Sequence, residues 1–508
     1  MQPADLSKLP PMQRRSFLKA ALMGAGAMSL PAGLLSACGG SSNGDLPYVE
    51  PPLVVDPDIG WWLQNNFAPT YEEVTKCDLR VRGRIPPELN GSYVRNGSNP
   101  QNTNSPHWFL GDGMVHGVRF ENGRVLSYKN RYVQTDLYKG GIAFNETIDN
   151  GLAPGGAAGT SNVSAFFHGG KLLSLGEIGA AFELDPDTLE TLSLETFGGA
   201  IPNSMTAHPK IDPETGNLHC FGYWFVAPHI TYWEISPEGV VLNEAVIETE
   251  KPTMVHSFAI TNGEVIFWEC PVVFDITNAI ENPIDAFKWT PEYGSRLGVL
   301  PFGESGDKIR WVELPDPCFV FHETNAFRDG DEIHIDVHWL QEVFGQSDLA
   351  TGEDSYRRWS INTAGEELTF RDQIIHKENW DLPKIDPRYT GLPYTHSWHA
   401  EFRDQPGTVD LGGIAYMNNR TGEGKLWTPE SNIHAAEAIF VPAGPAEGDG
   451  YLLSYLYNSR TNSSTLAVFE AMNHTRGPIA EIELDLRVPY GFHGTWVPGE
   501  FLSDNADC

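Results

Sequence analysis

From about residue 51 onward the chain repeats one hydropathy theme: a short apolar or alternating run, a turn, and another run. The runs at 171–175, 218–225, 265–268, 332–338 and 450–458 are too short for amphipathic helices and read as strands. Between the runs stand explicit turns: Glu121-Asn122-Gly123, Asp185-Pro186-Asp187, Asp212-Pro213-Glu214-Thr215-Gly216, Asn262-Gly263 and Arg328-Asp329-Gly330-Asp331. Two runs joined by such Gly, Asn and Asp turns predict hairpins. Many short strands at even spacing, with few helical stretches, predict an all-β sandwich, barrel or propeller. A propeller blade takes ~40–50 residues, so roughly 450 residues supply seven blades and some loops. The longer irregular stretches, 138–160 and 275–307, read as excursions over one face. No composition shift marks a linker, so residues 51–508 read as one domain.

The first 50 residues follow a different pattern. Arg14-Arg15-Ser16-Phe17-Leu18-Lys19 is a twin-arginine signature followed by an uncharged stretch from Ala20, so residues 1–37 read as an export signal. The stretch is weakly hydrophobic and carries Pro31, which disfavours a permanent membrane span. Leu35-Ser36-Ala37-Cys38 also resembles a bacterial lipoprotein cleavage site, leaving two readings: a lipid anchor on Cys38, or plain cleavage nearby. Residues 38–50 form a Gly/Ser-rich tether. The expected location is the periplasm or cell envelope.

Hydrophobic residues make up 41% of the chain, enough for a large core, and Lys+Arg 34 against Asp+Glu 67 leaves a net charge of −33. That surplus repels phosphate backbones and excludes nucleic acid as a partner. No Cys-x-x-Cys pair occurs among the six cysteines, which argues against a thiolate metal site. Disulfides are permitted outside the cytoplasm, but the sequence does not pair them.

Local catalytic signatures are missing. There is no His-Glu-x-x-His, no Gly-x-Ser-x-Gly, and Gly155-Gly156-Ala157 follows no strand that would make it a phosphate loop. A metal site would have to be assembled from distant side chains, as a propeller axis allows, because inner strands of different blades can each aim one residue at it. Four of the 16 histidines lie in strand-and-turn contexts that suit this. They are His208 (Met205-Thr206-Ala207-His208-Pro209), His256 (Met254-Val255-His256-Ser257-Phe258), His322 (Phe321-His322-Glu323-Thr324-Asn325) and His493 (Gly491-Phe492-His493-Gly494-Thr495). His116 reads as structural, and His334 and His338, alternating with Asp336 on one strand, lack a third convergent ligand. His396 and His399 border the site.

These segments resemble the histidine motifs of the carotenoid cleavage oxygenases, a family of non-haem iron enzymes. Arg95-Asn96-Gly97-Ser98-Asn99-Pro100, Trp108-Phe109-Leu110-Gly111-Asp112-Gly113-Met114-Val115-His116-Gly117 and Asn130-Arg131-Tyr132-Val133 extend the resemblance, which runs from about 79 to 498. It implies a seven-bladed β-propeller with a dome of loops and short helices over an axial iron site. One Fe(II) per chain is then held by His208, His256, His322 and His493. Neutral imidazoles suit Fe(II), and four of them leave two octahedral positions for O₂ and for substrate or water. The family supports three of its histidines with glutamates, and Glu177, Glu401 and Glu437 match that role.

The implied reaction is cleavage of a conjugated C=C bond of a carotenoid or apocarotenoid by O₂, giving two carbonyl products, with no organic cofactor. The alternative is cleavage of a lignostilbene or phenylpropene. Stilbene-cleaving members carry a lysine before the glutamate at the position of Gly176, which favours the polyene here. Val163 matches a site near an open iron position where relatives carry Thr or Val, and does not discriminate. Other propellers hold calcium on the axis with Asp, Glu and Asn oxygens, and an all-imidazole set is wrong for calcium.

Overall fold

Hairpin follows hairpin along the chain in a computed structural model that describes residues 56–503 apart from 57, 282–285, 345–350, 379 and 406–407. The export signal at 1–37, the tether at 38–50 and Cys38 lie outside the described residues. The fold is all-β, a seven-bladed propeller with few helices. Blade two comprises Ser164–His168, Lys171–Leu175, Ala181–Leu184 and Thr191–Glu195, each antiparallel to the next. Blade three runs from Lys210–Ile211 to Val241–Ile247, blade five from Phe319–Asp329 to Thr369–His376, and blade six from Trp380–Ile385 to Glu423–Trp427.

Two blades are completed by strands distant in sequence. In blade one, Gly91–Ser98, Gly113–Glu121 and Arg124–Tyr132 gain Thr75–Lys76 on one side and Gly494–Pro498 on the other. In blade seven, the sheet built on Gly450–Asn458, Ser463–Glu470 and Ala480–Glu483 is finished by Arg80–Gly83. The ring is therefore closed twice, once by each end of the described chain. Blades one and two also meet near the axis, where Ser164 and His493 form a parallel bridge.

The turns follow their chemistry. Asn122 at φ 49° and Gly123 at φ 74° join Glu121 to Arg124, as a two-residue hairpin turn requires. The stretch 138–160 holds the end of the short helix Asp136–Gly140, whose N-cap Thr135 accepts from the Tyr138 N–H, and the 3-10 turn Phe144–Glu146. The excursion expected over 275–307 is shorter than its sequence predicts. Arg296–Pro301 is the third strand of blade four, paired with Glu264–Glu269, because Leu297, Val299 and Leu300 bury against the core. What leaves the blade is a small ribbon, Val272–Phe274 with Phe287–Trp289, and the helix Ile276–Glu281.

Apolar side chains fill the space between blades. Trp268, Trp359 and Trp398 are fully buried, and Phe221, Phe258 and Phe267 pack with ring centroids 5.1–5.6 Å apart. Cys220, Cys270 and Cys318 are buried free thiols, whereas Cys77 is disulfide-bonded. Among the described residues no helix is long and apolar enough to cross a membrane.

Packing tolerances differ sharply between glycines. A Cβ on Gly113 would stand 2.0 Å from the Ser161 carbonyl oxygen, while one on Gly263 would meet nothing within 4 Å. Gly113→Ala is expected to cost about 1–3 kcal/mol through overpacking. Gly263→Ala is expected to stay within ~0.5 kcal/mol of the parent. Denaturant midpoints of the two variants check this, and equal midpoints would refute the packing account.

Candidate metal centre

Every blade sends one ionisable residue toward the axis. His208 stands two residues before the first strand of blade three, His256 three residues before Ala259–Ile260 of blade four, and His493 directly before Gly494–Pro498 of blade one. His322 lies within Phe319–Asp329 of blade five. Blades two, six and seven supply carboxylates instead: Glu177, Asp381 and Glu437.

The four imidazoles face one another. The Nε2 atoms of His208 and His256 are 2.9 Å apart, and ring centroids lie 4.5 Å apart for His208–His493, 5.0 Å for His208–His322 and 5.1 Å for His322–His493. Nitrogens of His208, His322 and His493 fall within 4.8 Å of one another.

Behind three of the rings sits an anion. Glu177 Oε2 lies 2.5 Å from His256 Nδ1, Glu437 Oε1 lies 2.6 Å from His493 Nδ1, and Asp381 Oδ1 lies 2.9 Å from His322 Nδ1. An acceptor at Nδ1 keeps the proton there and leaves the Nε2 lone pair facing the axis. Each carboxylate is itself held. The Tyr223 hydroxyl donates to Glu177, and the Leu382 N–H donates to Asp381 at 2.7 Å. Glu437 accepts from the Gly494 N–H at 2.8 Å and pairs with Lys384 at 3.0 Å. His208 has no carboxylate partner among the described residues.

The structure places one expected support residue elsewhere. Glu401 is not behind a histidine: its carboxylate accepts the Gly413 N–H at 2.8 Å and lies 3.5 Å from Arg403 Nε. Register is the reason. Trp380 pairs with Glu401 and Asp381 with Ala400, so Glu401 is one row away and braces its own hairpin. Asp381 takes the place behind His322, and sequence reasoning missed it. Its only signal was an acid between Trp380 and Leu382 where the inner strand of blade six begins.

Burial shifts two of the rings, His208 and His493. It drives His208 well below the usual imidazole range, with the neighbouring His256, His493 and His322 adding to the effect. Burial likewise lowers His493 to about 4, against the pull of Glu437. Glu437 would be raised by burial, yet Lys384 and His493 bring it down to about 2. Asp381 also falls below the usual carboxylate range despite burial, through His322 and His338.

This set fits a divalent transition metal. Nε2 of His322 is buried without a protein partner, an arrangement that is costly unless something binds there. Two imidazole nitrogens at ~2.1 Å from one ion, at right angles, would stand ~3 Å apart, as the Nε2 atoms of His208 and His256 do. An all-nitrogen set selects against Mg²⁺ and Ca²⁺.

The remaining histidines have other work. His116 bonds the Tyr128 hydroxyl at 2.8 Å, and His334 bonds Ser360 at 2.9 Å. Asp336 takes both nitrogens of Arg358 at 2.7 Å, so it forms no metal set with His334 and His338. His338 meets His399 at 3.1 Å, and His396 bonds the Tyr416 hydroxyl at 2.8 Å.

Aromatic rings flank the imidazoles. Phe321 stands edge-on to His256 at 5.1 Å and 6.5 Å from Phe109, which is 5.9 Å from Phe492. Val163 presents its carbonyl to the His493 N–H at 3.0 Å. A Cβ on Gly176 would come 2.7 Å from the Ser161 nitrogen, so the backbone closes off the place before Glu177.

Residues 67–498 match the family profile described as retinal pigment epithelial membrane protein. A carotenoid 9,10(9',10')-cleavage dioxygenase 1 of Pisum sativum is 30% identical, over 88% of this chain and 91% of its own. A carotenoid cleavage oxygenase of Mycobacterium tuberculosis is 31% identical, over 86% and 97%. The crystal structure of Pseudomonas brassicacearum lignostilbene dioxygenase superposes with a TM-score of 0.79 at 29% identity, covering 87% of this chain and 99% of that one.

The carboxylates separate by role. Asp381→Asn is expected to weaken divalent-metal affinity about 10–100-fold with the fold retained. Glu401→Gln should bind metal as the parent does. Metal titrations with circular dichroism controls check both, and a Glu401→Gln deficit matching that of Asp381→Asn would overturn the assignment.

Proposed function

The chain belongs to the retinal pigment epithelial membrane protein family of carotenoid cleavage oxygenases, and we propose that it is an Fe(II)-dependent dioxygenase cleaving a conjugated C=C bond of a carotenoid or apocarotenoid. One Fe(II) per chain would be held by His208, His256, His322 and His493. The observation that carries this reading is the four-imidazole cluster with carboxylates behind three of its rings. Bound iron supplies O₂ binding and redox chemistry that no side chain offers.

The protein's own part is positioning and dryness. Glu177, Asp381 and Glu437 fix the tautomers of three rings, so their lone pairs stay available at the axis. No acid–base pair is needed, because the polyene's π-electrons do the reducing and both products are carbonyls. Phe109, Phe321 and Phe492 provide apolar surface against which a rigid polyene can be oriented near the axis. Gly176 favours the polyene over a phenolic stilbene. A lysine side chain at this position would collide with the Ser161 backbone, so a phenolate would find no cation there.

We place the protein in the periplasm or cell envelope, exported by the twin-arginine route, with Cys38 as a candidate lipid anchor. The disulfide at Cys77 accords with an oxidising compartment.

Anaerobic Fe(II) loading followed by product mass spectrometry under ¹⁸O₂ tests the reaction. Two labelled carbonyl products from an apocarotenoid in detergent micelles are expected, with a much lower kcat/KM for a 4-hydroxystilbene. A clear preference for the stilbene would move the function to the lignostilbene-cleaving branch. His256→Ala combined with His493→Ala should lose iron and activity together, and full iron occupancy in that variant would sink the metal assignment.

A further inference from the structure

Three of the four histidines share a feature besides the axis. Each is followed within two residues by a polar side chain, and those three side chains meet. Lys210, two residues after His208, forms an ion pair with Glu323, which follows His322. Ser257, which follows His256, donates its hydroxyl to Glu323 Oε2 at 2.7 Å. The cluster is enclosed: the Glu323 side chain is 4% exposed, that of Lys210 18%, and Ser257 is fully buried. Lys210 also lies over the Phe258 ring, 5.9 Å from its centroid. One carboxylate thus joins blades three, four and five.

We propose that Lys210, Glu323 and Ser257 form a positioning tie that sets the mutual placement of His208, His256 and His322, and so the affinity of the site for its metal. This rests on the iron reading above. The β-ladders do not place these rings. His208 and His256 lie outside any strand. His322 lies within one, but the register against Glu332–Glu342 shifts between Val320 and Glu323 and again between Glu323 and Asn325. Two irregularities therefore flank Glu323 where the ring must be aimed. A bulge re-aims a side chain at the cost of ladder bonds, and a second fastening is needed where those bonds are missing. The buried ion pair is that fastening. In energy alone such a pair is a poor investment, since its desolvation offsets most of its attraction. Its directionality is what a metal site uses.

The two roles separate in a double variant. Removing one partner of a buried pair strands a charge and destabilises the fold, whereas removing both relieves much of that loss. Placement is lost either way. Lys210→Met and Glu323→Gln, alone and together, should each bind Fe(II) about 10-fold more weakly or worse in anaerobic chelator-competition titrations. The double variant should regain most of the parent's denaturation midpoint without regaining its Fe(II) affinity. Co(II) loaded into the double variant should show a visible absorption spectrum altered from the parent's.

Recovery of affinity together with stability in the double variant would reduce the tie to a structural ion pair, as would single variants that bind like the parent. If the single variants fail to fold, the double variant carries the test. If the parent itself binds no Fe(II), the iron reading fails, and the Co(II) spectra of parent and double variant still decide whether the tie positions the ligands.

Discussion

Four imidazoles turned toward one axis, His493 buried and the other three partly so, are the constraint on which the architecture rests. Neutral rings with converging lone pairs repel, and none can satisfy another's Nε2 when all present acceptors. The arrangement is favoured when rings are fastened from behind and something electron-poor sits in front. The propeller meets the first demand by division of labour. Four blades give imidazoles, and the other three give the carboxylates that brace three of those rings.

The bracing anions are fastened in turn by groups from further blades. Lys384 of blade six holds Glu437, and Tyr223 of blade three holds Glu177. Blade six therefore acts twice, since Asp381 of the same strand braces His322. The chain carries a large surplus of negative charge, yet these inward acids are individually partnered. Net charge describes the protein's outer field. The centre is governed by a few desolvated pairs whose partners are chosen one by one.

Much of this was legible in the sequence because it is written locally. Alternation and Asn-Gly turns mark hairpins, and strands 171–175 and 450–458 fall where the pattern puts them. His208, His256, His322 and His493, with Glu177 and Glu437, were singled out by the resemblance of their segments to a family's motifs, and the structure brings these six together. The misses share one physical cause, which is register. Glu401 and Asp381 sit on neighbouring strands one row apart, and no local pattern says which row faces the axis. The third strand of blade four was hidden for a similar reason. Arg296–Pro301 pairs with residues some thirty positions earlier, across a loop rich in Pro and Asn. Tyr223 had no signal, because a buried tyrosine in a strand reads as core until its hydroxyl is seen to point at an acid.

The strand Gly494–Pro498 carries a consequence for biogenesis. It pairs with Gly91–Ser98 of the first blade, and Arg95 reaches the Pro489 carbonyl across 394 residues of sequence. His493 opens that strand. During synthesis the first six blades can emerge from the ribosome and begin to pack while the axis still lacks one imidazole. Closing the ring and completing the coordination set are one event, and it comes late. A truncated or stalled chain thus cannot present the full metal-binding set, so metal occupancy reports that translation has reached the closing strand. Non-local closure of this kind is slow, and during that interval the nascent ring depends on avoiding aggregation rather than on its metal.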